Sequence, residues 1–121
     1  MDENMTESIL TSIKKMLGIT EEYEHFDADL IIHINSAFFI LHQLGLGDEL
    51  FKITSSDEMW EDFIEPLHGI NLEGVKTYIY ERVRLVFDPP TNSSLFNAYK
   101  EDIKEFEWRL QIEMETEKFR K

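Results

Sequence analysis

Between Asn71 and Pro90 the chain reads NLEGVKTYIYERVRLVFDPP, and this stretch narrows the possible folds more than any other. Leu72, Val75, Ile79, Val83 and Val86 recur at steps of three and four, while Thr77, Glu81, Arg84 and Asp88 recur the same way on the opposite side. That period belongs to an amphipathic helix with one buried face. Asn71 is suited to accept a hydrogen bond from an orphan amide at the start, and the Pro89-Pro90 pair drives Asp88 out of helical geometry at the end. Tyr78, Tyr80, Leu85 and Phe87 widen the apolar surface beyond one stripe. The helix is therefore expected to touch neighbours on two sides, in the middle of a helical core.

The flanking segments carry the same period. After a frayed stretch, Met1 to Met5, Thr6 is expected to cap a first helix running to about Leu17, with Ile9, Ile13, Met16 and Leu17 inward and Gly18 as its left-handed stop. Asp27 is the expected N-cap of a second helix that ends near Leu44 and is closed by Gly45. Leu30, Ile31, Ile34, Ala37, Phe38 and Leu41 form its main face, and Ile32, Phe39 and Ile40 lie outside that arc. Such all-round apolarity implies burial on most sides, by this chain or by another copy. Residues 45–55 interrupt the helical pattern and place Leu50, Phe51 and Ile53 where solvent is expected; they either fold back on the bundle or meet a partner. Ser55 and Glu58 suit a capping box for a short helix bearing Met59, Trp60, Phe63 and Ile64 and ended by Pro66.

The last helix is expected over about Ser94 to Glu117. Leu95, Tyr99, Ile103, Phe106, Leu110 and Met114 form one stripe, and Trp108, Ile112 and Phe119 form a second on the far side. One small bundle does not readily bury both; the second stripe either meets the Trp60 helix or is covered by another copy. The fold these patterns specify is all-α: a single-domain bundle of about four main helices plus one short helix, with a long C-terminal helix.

Composition narrows function. A chain of 121 residues supports one core. No apolar run approaches the length that crosses a bilayer, and the acidic opening MDENMTES lacks the positive region of a signal peptide, so the chain is expected to remain in the cytoplasm. The net charge of −13 is unevenly spread, with 15 Asp and Glu against 3 Lys and Arg in residues 1–65, and 10 against 9 in residues 66–121. A field of that sign repels phosphate backbones, which argues against tight nucleic-acid binding and suits a surface that DNA slides past; it also serves plain solubility.

Catalytic motifs are not evident. With no cysteine in the chain, thiolate metal sites and disulfides are excluded. Asp29 and His33 share a helical face but have no third ligand near them in sequence, which favours an ordinary hydrogen bond over a metal site. Glu58 and Glu61 match half of the Glu-x-x-Glu magnesium site of helical nucleotide pyrophosphohydrolases. The following helix offers only Glu73 and Glu81, too far apart to complete it, so the acidic run 57–65 reads better as a solvated face. No phosphate loop, GxSxG elbow or basic-aromatic platform is present.

The segment KTYIYERVRLVFDPP, followed by NSS and EFEWRL, resembles the head-tail connector (adaptor, or head-completion) family of tailed bacteriophages and related prophages. ESILTSIKKMLGI and FDADLIIHINSAFFILHQLGLG resemble it in the same order, so the likeness runs from about Glu7 to Leu110 and is weakest over 45–60. The resemblance implies a structural virion protein without catalysis or cofactor. Such proteins form a ring beneath the portal of the filled head, extend the DNA channel, and present a surface to the next head-completion, stopper or tail component. Ring contacts join two different patches of neighbouring copies, and Ile32 with Phe39, and Trp108 with Ile112 and Phe119, are the candidates. By analogy the tail Glu115 to Lys121, with Lys118, Arg120 and Lys121, is the candidate for portal docking. Leu50, Phe51 and Ile53 are the candidates for a partner or lumen contact. The alternative for an acidic helical phage protein is a DNA mimic that binds a host enzyme; a magnesium pyrophosphohydrolase comes behind both.

Overall fold

Two helices of nearly equal length, α2 (Asp27–Gln43) and α4 (Leu72–Phe87), pack against each other and organise the rest. The computed structural model describes the backbone of residues 7–67 and 70–120, and the side chains of these up to residue 116. Leu30, Ile34, Ala37, Phe38 and Leu41 of α2 interlock with Val75, Ile79 and Val83 of α4, at the steps of three and four that bring one helical face inward. α1 (Ile9–Met16) closes one side of this pair with Ile9, Leu10 and Ile13, and α3 (Trp60–Ile64) adds Trp60 and Phe63. α5 (Ser93–Arg120) lies along the other side of α4 through Ile103, Phe106 and Leu110. The described residues thus form the expected all-α bundle with a long C-terminal helix.

Several boundaries differ from the sequence reading. Ser8, not Thr6, caps α1, its hydroxyl accepting from the Thr11 amide at 3.2 Å; Thr6 lies outside the described residues. Asp27 is the first residue of α2 and caps nothing. Its carboxylate instead receives the ammonium of buried Lys14 at 2.9 Å, and the same ammonium donates to the Glu21 carbonyl, so one paired charge pins the 17–26 loop. Glu58 does not cap α3. Its carboxylate accepts from the Thr54 hydroxyl and from the Thr54 and Ser55 amides, fixing a turn, while the Asp62 carboxylate accepts from the Met59 amide at the true helix start. The chain before α1 and the chain before α3 are also stitched by an isolated antiparallel bridge, with Ile9 N–H donating to the Glu58 carbonyl and Trp60 N–H to that of Glu7.

The α4 cap holds as read, Asn71 Oδ1 accepting from the Gly74 amide, and Asp88 ends the helix. Val86, however, is exposed, because the stripe it completes runs past the end of the core. Glu81, placed by its period on the solvent side, is buried at 4% exposure because α5 covers that side of α4. Met16 and Leu95 likewise face solvent at the outer ends of their helices.

Candidate assembly surfaces

The 45–55 segment folds back on the bundle. Gly45 and Gly47 turn it with positive φ of 105° and 81°. Asn35 of α2 then clamps it: its Oδ1 accepts from the Ile53 amide at 2.8 Å and its Nδ2 donates to the Ile53 carbonyl at 2.9 Å. Ile53 is 1% exposed and belongs to the core, so it is corrected from contact candidate to packing residue. Phe51 is half-buried, its ring tilted against Phe38 and Phe63 at centroid distances of 5.0 and 5.4 Å, and it too serves packing in the protomer. Leu50 alone of the three remains exposed.

Ile32 and Phe39 of α2 are 61% and 48% exposed, and with Leu50 they line one shallow depression that Lys52 and Arg82 also border. On α5, Trp108 and Ile112 are 63% and 45% exposed and share a face, four residues apart. α3 does not cover them: Trp60 is fully buried, its Nε1 donating to Ser12 Oγ at 2.8 Å and its ring under the Lys76 ammonium. Phe119, Lys118, Arg120 and Lys121 have side chains outside the described residues.

Beneath the 45–55 loop lies a cavity of about 410 Å³, lined by Phe38, Leu41, His42, Leu46, Leu50, Phe51, Phe63 and Leu67, with Asp48, Glu49 and Asp62 also around it. The Nδ1 atom of His42 is buried without a hydrogen-bond partner. Periodicity gives no sign of this cavity; the signal for it is the pair Gly45 and Gly47 ahead of Leu50 and Phe51, which turns the loop back over α2.

Between α4 and α5 the contacts are polar as well as apolar. Tyr78 stacks on Phe106 at 4.9 Å and donates to Glu107 Oε2 at 2.7 Å, where Arg82 also binds at 3.0 Å. Burial and that bond to Glu107 raise the Tyr78 phenol above its ordinary range, so it stays protonated. Arg84 donates to the hydroxyls of Tyr80 and Tyr99 and fixes the start of α5. Burial, and then the neighbouring Asp102 carboxyl, push Glu81 up to about 7. No group of three or more His, Asp or Glu among the described residues is placed to hold a metal ion. For Glu58, burial acts upward, but the bonds from Thr54 and Ser55 outweigh it and hold the carboxyl below its ordinary value.

Among the large apolar side chains that packing leaves uncovered, Ile32 and Phe39 stand on α2 and Trp108 and Ile112 on α5. A family model for phage connector protein matches residues 9–117. The chain belongs to the phage connector family. No curated protein and no solved structure matches it. The family is structural, and in this connector the buried polar groups tie helices together. No helix among the described residues is long and apolar enough to cross a membrane.

Proposed function

We propose that this connector assembles as a ring of copies under the portal of a filled phage head, continues the DNA channel, and joins the head to the next stopper or tail component. One observation carries the reading: Ile32, Phe39 and Leu50 on one side and Trp108 and Ile112 on another remain uncovered in a protomer whose core is otherwise closed. Large apolar groups at two separate places suit a heterologous contact, in which one patch meets a different patch of the neighbour and repetition closes a ring. The two helices that carry the patches both pack on α4, which fixes their relative position without either having to move. The net charge of −13 supports a lumen along which DNA passes without binding. The portal contact is assigned to the basic C-terminal residues Lys118, Arg120 and Lys121, whose charge is opposite to that of the chain as a whole.

Light scattering on the protein mixed with its portal tests this directly. The wild type is expected to elute with portal as a multi-copy complex. Failure of any multi-copy species to form, with portal or alone, would remove the ring; a tight complex with a DNA-binding host enzyme that dissolves in salt would favour the mimic instead.

A further inference from the structure

The cavity under the 45–55 loop and the exposed tryptophan of α5 fit one another. The cavity is walled by the rings of Phe38, Phe51 and Phe63, and its volume of about 410 Å³ lies in the range that accepts a bulky group. Phe38 and Phe63 are core residues and Phe51 is half-buried, so this wall leaves room beside a closed core for a ring that the protomer does not itself supply. Trp108 is the complementary piece: a large apolar ring whose single N–H donor seeks an acceptor when the ring is buried. Within the protomer it finds no such site, as it stands on the outer face of α5.

We propose that Trp108 of one protomer inserts into this cavity on the next, its Nε1 donating to a carboxylate among Asp48, Glu49 and Asp62 at the rim. The occupant is a second copy of this chain. Charge supports that choice: Asp48, Glu49 and Asp62 surround the cavity, while Lys104, one turn from Trp108 on the same face, is held by Glu101 only at a stretched 3.9 Å and is free to turn to those carboxylates. Leu50 lines both the cavity and the depression of Ile32 and Phe39, so the inserted ring and the α2 patch form one continuous footprint, with Ile112 beside Trp108 covering the α2 part. This contact rests on the ring reading and specifies which patch meets which.

Hydroxyl-radical footprinting read by peptide mass, on the free protein and on its assembly with portal, tests it. Trp60 serves as the internal reference, being buried in the protomer. In the assembly, Trp108 and the Leu50 segment are expected to become protected together. Leu50→Trp, which fills the cavity mouth, is expected to leave a folded chain that no longer protects Trp108. Trp108→Phe, which keeps a ring but loses the donor, is expected to weaken self-association about tenfold. A mixture of Trp108→Ala, with an open cavity, and Leu50→Trp, with an intact knob, is expected to give the one contact still possible between them. An assembly in which Trp108 oxidises as fast as in the free protein, or stays protected in Leu50→Trp, overturns this contact and leaves the ring standing. Absence of any assembly overturns the ring reading and this contact with it.

Discussion

Trp60 and Trp108 show how far one residue type can diverge in role. Trp60 is enclosed by α1, α2 and α4, and its N–H is satisfied by Ser12 at 2.8 Å; Trp60→Ala leaves a cavity and takes from the Ser12 hydroxyl the bond it accepts, though not the one it donates to the Ile9 carbonyl, and should cost about 3–5 kcal/mol, read as a large fall in melting temperature. Glu81 carries a different kind of consequence. Its carboxyl ionises near 4.5 when free and near 7 in the fold, so between those values the folded state holds a proton that the unfolded state has lost. Its contribution to stability is therefore full below pH 4.5 and declines as pH rises through 7. The loss is on the order of 1–3 kcal/mol, since the exposed Asp102 and the open groove soften the repulsion. Glu81→Gln should melt at a higher temperature than wild type at pH 8 and at nearly the same temperature at pH 4.5. An equal difference at both values would show that no proton is involved.

At the scale of elements, the 45–55 loop is held by a single side chain. Asn35→Ala removes both of its bonds to the Ile53 backbone and leaves a buried amide and carbonyl unpaired, at a cost of about 1–3 kcal/mol. Hydrogen exchange should quicken over residues 50–54 and stay unchanged in α4, because the α2–α4 packing does not pass through Asn35. The helices themselves were legible in the sequence, since a period of three and four with a cap at one end and Gly or Pro at the other leaves little freedom. Asn71 and Asp88 bound α4 as read. What could not be read was pairing between distant segments. Asp27 has the chemistry of a cap, but Lys14 reaches it first; Glu81 has the period of a solvent face, but α5 lies over it; Ile53 has the look of a loop residue, but Asn35 draws it inward. Each depends on a partner at least a dozen residues away, which periodicity does not register. The patches were partly legible: Ile32, Phe39, Trp108 and Ile112 stand out of their stripes in sequence and are uncovered in the fold, whereas the cavity that neighbours them required the loop to be seen in place.

For the whole molecule, folding is expected to be separable from the proposed assembly, because the core closes without the exposed patches. Trp108→Asp is expected to keep the helical circular dichroism and melting temperature of the wild type to within about 0.5 kcal/mol, as a surface substitution does, while abolishing self-association. Magnesium is expected to leave the melting temperature unchanged, since Glu58 is committed to the Thr54 turn and a bound ion would stabilise the fold by mass action. In the proposed assembly, copies of this connector close on one another around an axis at the portal. Negative-stain imaging of the protein mixed with its portal tests that most directly. Wild-type protein is expected to add an annulus, coaxial with the portal and pierced by a continuous channel, that disappears with Trp108→Asp; portal particles unchanged by saturating wild-type protein would mean that no such ring forms.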